Sequence, residues 1–165
     1  MKVAVLDIDG TLADNTHREY LVEGLSPDWD AFFDDSLVLQ DTLVPLAKEG
    51  VNLLAAECDE LVFLTGRPET TRGVTTEWLE RYFGIRLATD SLWMRTAHHG
   101  HTSSALGRVS FKFLTMAKYI RPLFHRPEFI FVDDEEDNLR MFQTYFAGKV
   151  FKAPECWYAL TRGVI

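Results

Sequence analysis

Cysteine is scarce: Cys58 and Cys156 are the only two in 165 residues, and neither has a partner at short metal-ligand spacing. That excludes a disulfide-stapled mini-protein and leads us to expect two reduced thiols in a cytoplasmic compartment. No stretch is long and apolar enough to span a bilayer, and the amino-terminal run Val3-Ala4-Val5-Leu6 stops at Asp7, too short for a signal peptide. We therefore expect a soluble chain with no membrane partner. There is no repeat at a fixed period and no Gly/Ser-rich or Pro-rich linker, so one domain over residues 1–165 is the economical reading. Positive charge is also in deficit, with 17 Lys and Arg against 25 Asp and Glu and a formal net charge of −8. A chain so acidic is not built to coat a long nucleic acid or a membrane surface, although it can still grip one phosphate.

Apolar and aromatic residues are plentiful, at 47% and 13%, enough for a sizeable core. Val3 to Leu6 is a short continuous apolar run of the kind buried on both faces of a parallel sheet. Leu61-Val62-Phe63-Leu64 and Phe129-Ile130-Phe131-Val132 repeat it, and Lys149-Val150-Phe151 predicts a further strand. Between the runs lie segments with helical spacing: Leu43, Leu46, Ala47, Val51 and Leu54; Val74, Trp78, Leu79 and Tyr82; Phe111, Leu114, Met116 and Tyr119; and Leu139, Phe142 and Phe146. Strands alternating with helices predict an α/β fold with a parallel sheet of at least four strands, whose ligand site lies at the carboxyl ends of the strands.

Those ends carry polar sequence. The first strand runs into Asp7-Ile8-Asp9-Gly10-Thr11-Leu12, the second into Thr65-Gly66-Arg67-Pro68, the third into Asp133-Asp134-Glu135-Glu136-Asp137-Asn138. Side chains two apart on extended chain point the same way, so Asp7 and Asp9 present two carboxylates to one face, and Gly10 allows close backbone approach. With Asp133 and Asp134 from a neighbouring strand, up to four carboxylates share one crevice. Such a cluster calls for a hard cation such as magnesium. Three acidic or hydroxyl groups at three successive strand ends are more than helix capping requires.

These motifs resemble the haloacid dehalogenase-like phosphohydrolases over almost the whole chain. That family has a strand ending in DxDGT, a strand ending in Thr or Ser, a helical Lys, and a strand ending in an acidic cluster. Asp7-Ile8-Asp9-Gly10-Thr11, Thr65, Lys112 and Asp133-Asp134 match in order, with Arg108 and Lys118 as competitors for the lysine position. The resemblance implies a Rossmann-like three-layer sandwich with a small helical cap insert, and a phosphoryl transfer in which Asp7 attacks phosphorus while Asp9 serves as acid and then base. It implies Mg2+ held by Asp7, Asp9 through its backbone carbonyl, and Asp134, with Asp133 as the alternative ligand or as a support beside Asn138. Thr65 and Lys112 would hold phosphoryl oxygens, with Gly10, Thr11 and Gly66 around them.

The cap position of this family, here Ala13 to Asp41, spans fewer than thirty residues. It can form a loop and a helix rather than a full lid, which leaves the site open to a bulky substrate. Ala13-Asp14-Asn15-Thr16-His17-Arg18, Asp28-Trp29-Asp30-Ala31-Phe32-Phe33, Thr65-Gly66-Arg67-Pro68-Glu69 and Leu92-Trp93-Met94-Arg95 are similar to segments of the phosphatase domains of phage and bacterial polynucleotide kinase-phosphatases. The implied activity is a polynucleotide 3′-phosphatase in nucleic acid repair; the alternative is a 5′-nucleotidase, and a non-catalytic module of the same fold stands last. No GxxxxGK[ST] sequence is present in these residues, so a phosphatase without a kinase domain is expected. His17, Arg18, Arg67 and Arg95 are candidate substrate contacts. Trp29, Phe32 and Phe33 are expected either to stack a base or to pack the insert on the core. From Ser91 through Pro127 there is no Asp or Glu, while six Lys and Arg and four of the five histidines fall there. This flank is read either as a track for a polynucleotide backbone or as a solvated face, and His98, His99 and His101 as part of a polar loop.

Overall fold

In the first strand, β1 (Lys2–Leu6), Val3 and Val5 turn to one side and Ala4 and Leu6 to the other, and all four are buried, so the strand has protein on both faces. The computed structural model describes residues 1–84, 91–96 and 105–163. The expected polar loop with His98, His99 and His101 lies outside them. After β1 the chain turns through Asp7–Leu12 into a two-residue strand, β2 (Ala13–Asp14), and then into three four-residue helices, α1 (Thr16–Glu19), α2 (Trp29–Phe32) and α3 (Asp35–Val38). Asp28 and Asp34 cap the second and third by accepting from the backbone N–H groups of Ala31 and Ser36, each at 2.9 Å. Strand β3 (Thr42–Leu43) returns antiparallel to β2 and closes this flap.

Helix α4 (Ala47–Glu57), strand β4 (Glu60–Pro68), helix α5 (Arg72–Phe83) and strand β5 (Leu92–Arg95) follow, then α6 (Ala105–Thr115). A wide turn over Met116–Ile120 leads into α7 (Arg121–Leu123), and β6 (Glu128–Asp133), α8 (Glu136–Tyr145), β7 (Gly148–Lys152) and α9 (Glu155–Thr161) complete the order. The five long strands form one parallel sheet in the order β5-β4-β1-β6-β7. One face packs on Val51 and Leu54 of α4, Trp78 and Leu79 of α5 and Trp157 of α9; the other packs on Phe111 of α6, Met116, and Phe142 of α8 with Phe146 beyond it. This is a Rossmann-like three-layer α/β sandwich. Gly50 is where α4 meets α9: a Cβ there would run into the Trp157 ring.

The structure corrects several expectations drawn from periodicity. Leu43 lies in β3, and Leu46, with φ of 64°, precedes α4, so the helix starts at Ala47. Thr65, Gly66 and Arg67 lie inside β4, which continues past a bulge to Pro68. Leu92–Arg95, to which the apolar runs assign no strand, adds a fifth strand to the at least four expected. The flap holds three short helices where one was expected. Leu114 and Tyr119 face solvent: the inward face of α6 runs through Phe111, Lys112 and Thr115, and the π-helical turn at Met116–Ile120 carries Ile120 inward and Tyr119 outward onto Trp93, with ring centroids 5.7 Å apart.

Candidate active site

β1 and β6 are adjacent and parallel with Leu6 opposite Val132, so the residues that follow, Asp7 and Asp133, emerge side by side. The Asp7 backbone N–H still donates to Val132 O, at 3.0 Å. Lys112 reaches both from α6, its Nζ 3.0 Å from Asp7 Oδ1 and 2.6 Å from Asp133 Oδ2. The other Asp133 oxygen accepts from the Glu135 backbone N–H and the Asn138 amide, each at 3.0 Å. Asp134 is the least engaged carboxylate of the group, its side chain accepting from the Thr11 hydroxyl at 3.4 Å and from no other residue among the described residues. Gly10, at φ of 74°, passes so close to Asp134 that a Cβ would collide with its carboxylate. That combination of positive φ and close approach is what only glycine supplies.

Oxygens of Asp7, Asp133 and Asp134 lie within 4.8 Å of one another. Three carboxylates against the single Lys112 ammonium leave two negative charges, the charge of a divalent cation. Burial raises the Asp7 carboxyl well above its ordinary value; Lys112 opposes this, and Asp133, Asp134 and Asp9 add to it. Asp134 is pushed up to about 6, by burial first and by Asp133 second. Burial pulls the Lys112 ammonium down, but Asp133 and Asp7 outweigh it and its pKa is raised. An all-oxygen, over-charged group of this kind could hold a hard metal ion.

Asp9 belongs to a second, balanced cluster. Its Oδ1 accepts from Arg67 at 2.8 Å, Arg18 at 2.9 Å and Asn15 at 3.3 Å, and its Oδ2 from Arg67 Nε at 3.0 Å. Behind it the buried Asp41 accepts from Arg18 Nε at 2.8 Å and His17 Nε2 at 3.0 Å on one oxygen, and from Arg18 at 2.8 Å and Arg67 at 2.7 Å on the other. Two guanidinium groups thus meet two carboxylates, and the Phe32 ring covers Arg18 at 4.1 Å. Burial alone would raise the Asp9 carboxyl, but Arg67, Arg18 and Asn15 win and hold it below its ordinary value.

A cavity of about 290 Å³ opens onto both clusters, and Asp7, Asp9, Gly10, Gly66, Lys112 and Asp134 contribute to its wall. Arg95 of β5 lines it too, as do Trp29, Phe32 and Phe33 of the flap and Arg108 of α6. Thr65 is buried beside Gly66, its Oγ1 accepting from the Arg67 backbone N–H at 3.2 Å. Arg18, Arg67 and His17, read as substrate contacts, are directed at Asp9 and Asp41 rather than into the cavity, because buried guanidinium groups need anionic partners. Lys112 is the lysine brought to the strand ends, whereas Arg108 pairs with Glu135 at 2.8 Å and Lys118 lies over the Tyr119 ring at 5.1 Å. The acid-free flank therefore turns Arg95, Arg108 and Lys112 toward the cavity and leaves Lys118, Arg121 and Arg126 in solvent. Asp41 and Asn15 escaped sequence reasoning. Their neighbours look like ordinary turn sequence, and only the demand of two buried arginines for charge singles Asp41 out.

Among the described residues no helix is long and apolar enough to cross a membrane. No family model matches the sequence, and no curated protein matches it. Among solved structures, the chain is similar to one in the "Structure of the Pnkp1/Rnl/Hen1 RNA repair complex", at 22% identity and a TM-score of 0.63, over 92% of this chain and 42% of that one. It is also similar to one in the "Structure of Pnkp1/Rnl/Hen1 complex", at 21% identity and a TM-score of 0.64, over 92% of this chain and 45% of that one. It thus spans less than half the length of either. What these likenesses establish is a shared fold, extending over nearly the whole of this chain.

Proposed function

We propose that the chain is a magnesium-dependent phosphomonoesterase of the haloacid dehalogenase-like type that removes the 3′-phosphate from polynucleotide ends. The observation that carries this reading is the group of Asp7, Asp133, Asp134 and Lys112, two negative charges in excess, at the mouth of a cavity that also exposes Asp9. The RNA repair setting of the structural neighbours supports the choice of a nucleic-acid end.

Asp7, Asp134, the Asp9 backbone carbonyl and, through its bonded carboxylate, Asp133 would hold Mg2+, which when bound offsets the charge of carboxylate and phosphate and polarises the phosphoryl group. One oxygen of Asp7 is held by Lys112, so the other attacks phosphorus; the ester P–O bond breaks and an aspartyl-phosphate forms. Lys112 and the Thr65 hydroxyl hold phosphoryl oxygens as charge redistributes. The departing 3′-oxygen takes a proton from Asp9. Asp9 is ionised at rest under Arg67 and Arg18, so it must first take up that proton from solvent as the phosphate dianion enters and raises its proton affinity. Water then attacks phosphorus while the Asp9 carboxylate accepts a proton from it, which frees phosphate and restores Asp7.

The test is phosphate release from a 3′-phosphorylated oligonucleotide and from 3′- and 5′-nucleoside monophosphates, in Mg2+ and in EDTA. We expect Mg2+-dependent release with the oligonucleotide preferred. Preference for free 5′-mononucleotides would make the chain a nucleotidase, and release that persists in EDTA would overturn the metal assignment.

A further inference from the structure

Phosphoryl chemistry alone does not account for the far side of the cavity. Each cation near the strand ends has an internal partner: Arg18 and Arg67 bind Asp9 and Asp41, Lys112 binds Asp7 and Asp133, and Arg108 pairs with Glu135. Arg95 differs. It ends β5, lines the cavity, is half-buried, and has no hydrogen bond or ion pair among the described residues. Burial without an anion depresses its pKa, so charge on this side chain is held at a cost that a ligand anion would remove.

The flap supplies a flat apolar surface to the same cavity. Trp29 and Phe33 are half-buried and stacked, ring centroids 6.1 Å apart at 24°. Buried Phe32 meets Trp29 edge-on at 5.6 Å and Phe33 at 4.9 Å, and is itself fixed against Arg18. A platform locked from behind and open in front loses little freedom when a ring lands on it. An aromatic face and a guanidinium with no partner among the described residues, flanking a phosphate site, match a ligand that carries a planar base and a second anion.

We propose that the cavity takes the terminal nucleotide of a polynucleotide, its base on the Trp29–Phe33 face and the phosphodiester joining it to the rest of the chain on Arg95. This rests on the phosphatase reading and extends it: Arg95 is the residue that tells a polynucleotide end from a free mononucleotide. A nucleoside 3′-monophosphate offers the base without the diester, and acetyl phosphate offers neither.

The experiment compares kcat/KM for a 3′-phosphorylated dinucleotide, a nucleoside 3′-monophosphate and acetyl phosphate in the wild type, Arg95→Gln and Trp29→Leu. Arg95→Gln should lower the dinucleotide-to-mononucleotide ratio by about tenfold or more. Trp29→Leu should lower the mononucleotide-to-acetyl-phosphate ratio by about tenfold. Ratios that stay within about twofold of wild type, or a wild type that prefers the mononucleotide, overturn the proposal. Binding is read separately by titrating a fluorescent dinucleotide with a free 3′-hydroxyl into each protein, after circular dichroism has shown the variants folded. Weaker binding in both variants supports the subsite, and unchanged binding removes it. A wild type that hydrolyses none of the three substrates ends the phosphatase reading, and the titration still decides this one.

Discussion

Asp41 touches no part of the cavity, yet it fixes the two arginines that orient Asp9. Asp41→Asn leaves two buried guanidinium groups sharing one carboxylate, so we expect a loss of about 3 kcal/mol or more in urea unfolding, together with reduced turnover. Asp7→Asn should act in the opposite sense. It removes one charge from an over-crowded group, so turnover should fall by at least about a thousandfold while the melting temperature holds or rises. Equal melting losses in the two variants would show that the ionised Asp7 carboxylate is not destabilising where it stands. The difference in how readable these residues were is physical. Asp7 and Asp9 are legible because alternation on extended chain, followed by Gly10 and Thr11, says locally where both side chains go. Asp41 is bound by residues 23 and 26 positions away, and no local pattern encodes that.

Among the elements, the apolar runs announced β1, β4 and β6 because strands buried on both faces have little choice of residue. β5 was not legible: Leu92–Arg95 has four residues, two of them half-exposed, and borrows its pairing from β4 across a bulge. Tyr119 is hard to read from sequence for a related reason, since the π-helical turn at Met116–Ile120 breaks the 3.6-residue period. α4 and α9 offer a test of how packing reaches the site. Trp157 lies against Gly50 on one side and donates its indole N–H to Thr11 O at 2.9 Å on the other. Gly50→Val should therefore cost about 1–3 kcal/mol and also weaken Mg2+ binding, because displaced Trp157 pulls on the loop that carries Asp9 and Gly10. Isothermal titration with Mg2+ reads the second effect, and an unchanged affinity would confine the damage to the helix pair.

For the whole molecule, the excess negative charge at the strand ends ties stability to pH and to cations. An Asp ionises near 3.8 in the unfolded chain, whereas Asp134 holds its proton to about 6 when folded. Folding with that group ionised is unfavourable, so the stability of the metal-free protein should fall as pH rises from about 4 through about 6. Asp9 has the opposite sign, since its folded value is lowered, and its contribution is lost only on further acidification. Melting curves in EDTA should accordingly be highest in mild acid, and saturating Mg2+ at neutral pH should raise the melting temperature by about 5–10 °C. A melting temperature indifferent to Mg2+ at neutral pH would count against a cation at these carboxylates. The order of the sheet has one more consequence. Asp7 and Asp133 stand on strands gripped from both sides, whereas Arg95 stands on a rim strand and Trp29 in a flap tethered by two-residue strands. Mutations at the rim and in the flap can thus accumulate without disturbing the interior, and a lineage carrying this fold can change what it acts upon while keeping how it acts.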